Sequence, residues 1–143
     1  MLTNKISPHL TLSLFESDDE LKLHNITKGI FPKLSRQSIF INRVGAFEPE
    51  VIYLAPRKTS YLLNLNNVIT KNLIVNGIVP DNYYLPDMWI PHISLGVQLT
   101  SDELVKVLEI VKKDFVPFKV AVEKLVLVKC NPYKKIVEYI INK

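Results

Sequence analysis

The sequence predicts an α+β fold built by internal duplication. Three observations carry that prediction: two closely similar histidine stretches, a helix-capping signal after each, and a pair of strands after each helix. SPHLTLSLF at residues 7–15 and IPHISLGVQ at residues 90–98 both run proline, histidine, apolar residue, hydroxyl residue, leucine. An offset of 83 residues aligns them without a gap and also superposes Asp19-Glu20-Leu21 on Asp102-Glu103-Leu104, with six of the fourteen positions from 8 to 21 identical. Histidine and proline are uncommon residues, so agreement of this kind points to duplication, and two copies are too few for a solenoid.

Each histidine stretch alternates as a half-buried strand does. His9, Thr11, Ser13 and Phe15 fall on one face and Leu10, Leu12 and Leu14 on the other; His92, Ser94, Gly96 and Gln98 oppose Ile93, Leu95, Val97 and Leu99. Ser17-x-x-Glu20 and Thr100-x-x-Glu103 then read as capping boxes, in which a hydroxyl and a carboxylate satisfy free amides at a helix start. The first helix carries Leu23, Ile26 and Ile30 and ends near Phe31-Pro32, where proline cannot continue the hydrogen-bond ladder. The second carries Leu104, Val107, Leu108 and Val111.

Strand pairs follow both helices. SIFINRVGAF and VIYLAP are joined by a turn at Glu48-Pro49-Glu50, and FKVAVEKLVLVKC and KKIVEYII by one at Asn131-Pro132-Tyr133. Residues 57–76 read as a further helix through Leu62, Leu65, Ile69 and Leu73, starting near Thr59 and stopped by Gly77 and Pro80. The first unit lacks such an opening helix: either the first repeat is shortened or the chain begins inside a longer protein, and in the first case a homodimer or a domain swap covering the shortened lobe is expected.

A chain of 143 residues is one domain's worth, and its composition, 48% hydrophobic and 22% charged, is that of a folded protein. No apolar run reaches the roughly 18–20 residues of a membrane span, and MLTNKISPH lacks the apolar core of a signal peptide, so a cytoplasmic protein without membrane association is expected. The lone Cys130 reads as a buried strand residue. Net charge is +4, with lysines dispersed from Lys5 to Lys143, which fits a solvated surface better than a dedicated nucleic-acid patch.

The chemistry lies in the repeated motif. A histidine and a hydroxyl two residues apart share one face of a strand, and two such strands brought together converge two imidazoles and two hydroxyls on one small volume. One imidazole can take a proton while the other gives one up, and the hydroxyls can donate to an anionic oxygen. That set suffices for in-line displacement at a phosphodiester without a metal, so no cofactor is expected. The acidic residues at 18–20 and 102–103 are accounted for by helix starts. Tyr84 and Trp89, in the Pro-bounded loop entering the second motif, are candidate substrate-binding residues that could stack on a nucleobase or, equally, plug the gap between the lobes.

PHLTL and PHISL, duplicated in this way, resemble the paired His-x-(Thr/Ser) motifs of the two-histidine (2H) phosphoesterase superfamily, which includes the 2'-5' RNA ligase family and cyclic phosphodiesterases. RVGAFEPEVIYLAPRKTSYLLNLNNVIT and YYLPDMWIPHISLG are similar to the stretches between and into the two motifs in bacterial members. The resemblance implies a bilobal fold, with lobes at approximately 1–56 and 57–143 in which two antiparallel sheets flank a central cleft and helices pack outside. It also implies metal-independent chemistry on a 2',3'-cyclic phosphate or a 2'-5' phosphodiester of RNA or nucleotides. Carried over, His9 and His92 are the general acid/base pair and Thr11 and Ser94 the phosphate-binding hydroxyls. The family's strand and helix before the first motif are missing, and Ser94 stands where Thr is more usual. A non-catalytic module binding an RNA end or a cyclic phosphate is the alternative expectation.

Overall fold

The computed structural model describes residues 7–141. Its elements run α1 (Glu20–Ile30), β1 (Ser38–Phe47), β2 (Val51–Pro56), α2 (Ser60–Val75), β3 (Ile93–Gly96), α3 (Ser101–Asp114), β4 (Phe118–Ala121), β5 (Lys124–Lys129) and β6 (Lys134–Ile140). The fold is α+β, with all strand pairs antiparallel. One sheet has the order β3-β2-β1-β4 and the other is the hairpin β5-β6.

The larger sheet does not follow the halves of the chain. Its centre, β1 and β2, comes from the first half, and both flanking strands come from the second. The two halves meet where β2 takes β3 as its neighbour, through Tyr53 opposite Ser94 and Leu54 opposite Ile93.

FKVAVEKLVLVKC, expected as one strand, is divided between the sheets. Up to Ala121 it pairs with β1; the Val122 N–H then donates to Gln37 O, and Glu123 O accepts from Ile141, so the chain leaves one partner and takes up another within two residues. Cys130 lies exposed beyond the end of β5 rather than buried, because the ladder stops at Lys129 opposite Lys134.

The core gathers Leu23, Ile26 and Ile30 of α1, Leu62, Leu65 and Leu73 of α2, Ile39 and Ile41 of β1, and Leu125 of β5. These are the apolar positions the 3.6- and 2-residue periods select, and each side chain fully withdrawn from water contributes about 1.5–3 kcal/mol. The hairpin joins this core beside α1: Tyr139 meets Phe31, just past the helix end, with tilted rings 6.3 Å apart, and Lys134 reaches Glu20 at 3.5 Å.

Capping chemistry sets the helix ends. Thr100 and Glu103 form the expected reciprocal capping box on α3. The box expected at Ser17 and Glu20 is corrected: Asp19 is the N-cap of α1, accepting from the Lys22 N–H at 3.0 Å, while Ser17 Oγ accepts from the Asp19 N–H. An aspartate one residue ahead of Glu20 is an equally good cap and adds its charge at the positive end of the helix dipole. Helix α2 starts under the Thr59 hydroxyl and ends in a Schellman motif, with Ile78 N–H donating to Leu73 O and Gly77 N–H to Ile74 O. Gly77 has φ +80°, open to glycine at no steric cost.

Candidate active site

The second histidine motif forms an edge strand. His92 immediately precedes β3, and Ser94, two residues on, projects from the same face. Cross-strand partners share a face, so Tyr53, opposite Ser94, and Gly45, opposite Tyr53, belong to it as well. Phe47, two residues beyond Gly45, completes the set. The His92 ring meets Phe47 edge-on at 4.9 Å and Tyr53 at 5.5 Å, and Phe47 and Tyr53 lie 4.5 Å apart.

The first motif is held differently. Residues 7–17 run without any assigned strand, in contrast to the ladder expected from their alternation. Their carbonyls are instead taken up by groups from elsewhere. Trp89 Nε1–H donates to Thr11 O at 3.1 Å, Asn66 Nδ2 to Leu12 O at 2.9 Å, and the Asp81 N–H to Leu14 O at 2.8 Å. Leu10, Leu12 and Phe15 pack on the core, whereas Leu14, expected with the buried set, is exposed. A segment docked by side-chain donors is freed from the strict alternation that a sheet imposes.

Both histidines are tethered in the same way. His9 Nδ1–H donates to Ser7 O at 2.9 Å and His92 Nδ1–H to Ile90 O at 2.8 Å, in each case the carbonyl two residues back. With the proton on Nδ1, the neutral imidazole carries its lone pair on Nε2. His9 is exposed and His92 half-buried, Thr11 is half-buried and Ser94 exposed, so all four positions face water at least in part.

The two aromatic candidates part company. Trp89 is 0% exposed with its N–H committed to Thr11, so its ring offers no face to a base here and, of the two expectations for it, the packing role fits: it joins the two motifs. Tyr84 is half-buried against the core, its carbonyl accepts a 2.9 Å bond from Asn66, and burial, with the Asp81 carboxylate second, pushes its phenol above the ordinary tyrosine value.

Gly45, Phe47, Tyr53 and Asn66 were not singled out from the sequence. Gly45 carried a signal, since glycine inside an apolar strand marks a close approach by another group. The others depend on register and packing. A groove of about 460 Å³ along α1, lined by Lys22, Lys33, Asn72 and Asn76 among others, includes neither His9 nor His92.

An α+β fold carrying two identically tethered imidazoles, each two residues ahead of a hydroxyl, defines a protein of the two-histidine phosphoesterase class. The chain belongs to the 2'-5' RNA ligase superfamily, whose family profile matches residues 2–132. A solved structure described as a phosphoesterase is similar in fold, with a TM-score of 0.66 and 16% sequence identity over 96% of this chain and 78% of that one. A search of the curated proteins gave no match.

Proposed function

We propose that this chain is a metal-independent phosphoesterase acting on a 2',3'-cyclic phosphate or a 2'-5' phosphodiester of RNA or nucleotides. The observation that carries the reading is the shared tether: Nδ1–H of His9 and of His92 each bonds the carbonyl two residues earlier, leaving Nε2 as the working nitrogen on both. An imidazole fixed in this tautomer is ready to accept a proton, and once protonated it donates from the same nitrogen. One histidine activates water or a ribose hydroxyl, the other protonates the departing oxygen, and Thr11 and Ser94 donate to the phosphoryl oxygens. The matching tethers also support reading the two motifs as the products of a duplication, related by an approximate twofold across a cleft between two lobes.

Membership of the superfamily favours an RNA or nucleotide substrate. Among the described residues no helix is long and apolar enough to cross a membrane. A cytoplasmic location and a homodimer remain part of the proposal, the latter tested by light scattering.

The deciding experiment is hydrolysis of a short RNA ending in a 2',3'-cyclic phosphate, with EDTA throughout, comparing the wild type with His9→Ala and His92→Ala. Turnover that survives EDTA and is lost in both variants supports the two-histidine reaction. Binding of the same RNA without product would instead identify a module that recognises the end without turning it over.

A further inference from the structure

We infer that Gly45 and Tyr53, with Phe47, are positioning residues for His92, forming an aromatic clamp that holds one histidine of the pair and not the other. Gly45 sits in the interior of a central strand with no positive φ to explain it, and glycine there weakens a strand unless something must come close. What comes close is the Tyr53 ring. A Cβ on residue 45 would lie 2.5 Å from Tyr53 Cζ, 2.6 Å from its hydroxyl oxygen and 2.7 Å from Cε1.

The ring has little freedom to retreat. Tyr53 is 8% exposed, with Phe47 on one neighbouring side at 4.5 Å and His92 on another at 5.5 Å. Phe47 in turn meets His92 at 4.9 Å with the ring planes at 82°, the edge-to-face arrangement that aromatic quadrupoles favour. The His92 imidazole is thus fixed by its Nδ1 bond to Ile90 and by two rings, and the glycine leaves room for the Tyr53 ring beside β1. His9 has the backbone tether but, among the described residues, no aromatic partner. The two motifs are alike in sequence and unequal in restraint.

The substitution Gly45→Ala therefore acts on His92 through Tyr53. The added methyl drives the ring from β1 into the space held by Phe47 and His92, and the imidazole loses the orientation that its Nδ1 bond requires. The activity arm of the test rests on the phosphoesterase reading above; the spectroscopic arm does not.

The experiment is two-bond ¹H–¹⁵N correlation of the imidazoles, without substrate, on the wild type, Gly45→Ala and Phe47→Leu, with His92→Gln to assign the resonance. In the wild type, neutral His92 should show a single tautomer with a bare Nε2. In both variants that signal should shift or become a tautomer mixture while His24, exposed on α1, stays in place. On the cyclic-phosphate RNA, kcat should fall roughly 10- to 100-fold with KM little changed, as misorientation of a catalytic group predicts. Wild-type His92 signals in folded Gly45→Ala and Phe47→Leu would overturn the inference. If Gly45→Ala does not fold, Phe47→Leu decides alone, since it removes one clamp ring without adding an atom to β1. Perturbed His92 in variants of a protein whose wild type hydrolyses nothing would sustain the clamp and sink the phosphoesterase reading.

Discussion

The indole N–H of Trp89 donates to the backbone carbonyl of Thr11 at 3.1 Å, so the run into the second histidine motif is bonded directly to the hydroxyl residue of the first. These residues are 78 apart in the chain. Trp89 is fully buried but Thr11 is half-buried, and losing a hydrogen bond of this kind costs about 0.5–1.5 kcal/mol. Trp89→Phe, which retains an aromatic ring but has no donor, should be destabilised by that amount in urea unfolding. Activity should fall further than the loss of folded protein explains, because the two motifs lose their common anchor.

Asn66 makes a second joint. Its amide donates to Leu12 O and Tyr84 O, both at 2.9 Å, from a side chain with no exposure. Asn66→Ala leaves both part-buried carbonyls without that donor while also removing the unpartnered Oδ1, and should cost about 1–3 kcal/mol. Hydrogen exchange should then rise in the segments around residues 12 and 84 before it rises in β1. Uniform loss of protection would show that Asn66 supports the core generally and not these two segments.

The end of α2 offers a backbone test. Gly77 at φ +80° has only Lys22 Nζ near its missing Cβ, at 4.0 Å, so Gly77→Ala meets conformational strain and no clash. The expected loss is about 1–2 kcal/mol, the cost of the left-handed region for a residue with a Cβ. Thermal unfolding measures it, and Gly77→Asn should recover part of it.

Glu103 supplies the pH dependence. Its bond from the Thr100 backbone N–H, and secondarily the Thr100 hydroxyl, holds its carboxyl below the ordinary value of 4.5. A folded-state pKa lowered in this way adds stability that is present above the unfolded value and lost as the pH falls through the folded one. The wild type should therefore lose thermal stability below about pH 4.5 more steeply than Glu103→Gln, whose side chain does not titrate. The side chain is fully exposed, so the difference should be small and should shrink in salt.

If the histidines act as the proposed acid/base pair, loss of either should lower turnover about 10²- to 10⁴-fold, with circular dichroism unchanged because neither ring belongs to the buried core. Comparable losses in His9→Ala and His92→Ala are expected despite their unequal restraint, since the proposed reaction assigns both proton transfers to one displacement. A full-rate His9→Ala would mean that the pair does not act together.

Much of the local structure was legible because it depends on neighbours in sequence. The α3 capping box, the Thr59 cap, the stop at Gly77 and the bounds of β1 and β2 follow from side chains reaching backbone groups a few residues away, or from alternation over one strand. The two His-x-hydroxyl motifs stand out in the sequence through their repeated spacing, although only the second lies at a strand. What tertiary structure alone decided is where those pieces meet. The two-sheet division of FKVAVEKLVLVKC depends on which strand offers its edge at Val122 and Glu123. Trp89 is an internal joint and not a ligand face because burial is a property of everything packed around a ring. Phe47 and Tyr53 reached His92 only through the register of three strands, and an aromatic's distance from a histidine cannot be read from either one's place in the chain.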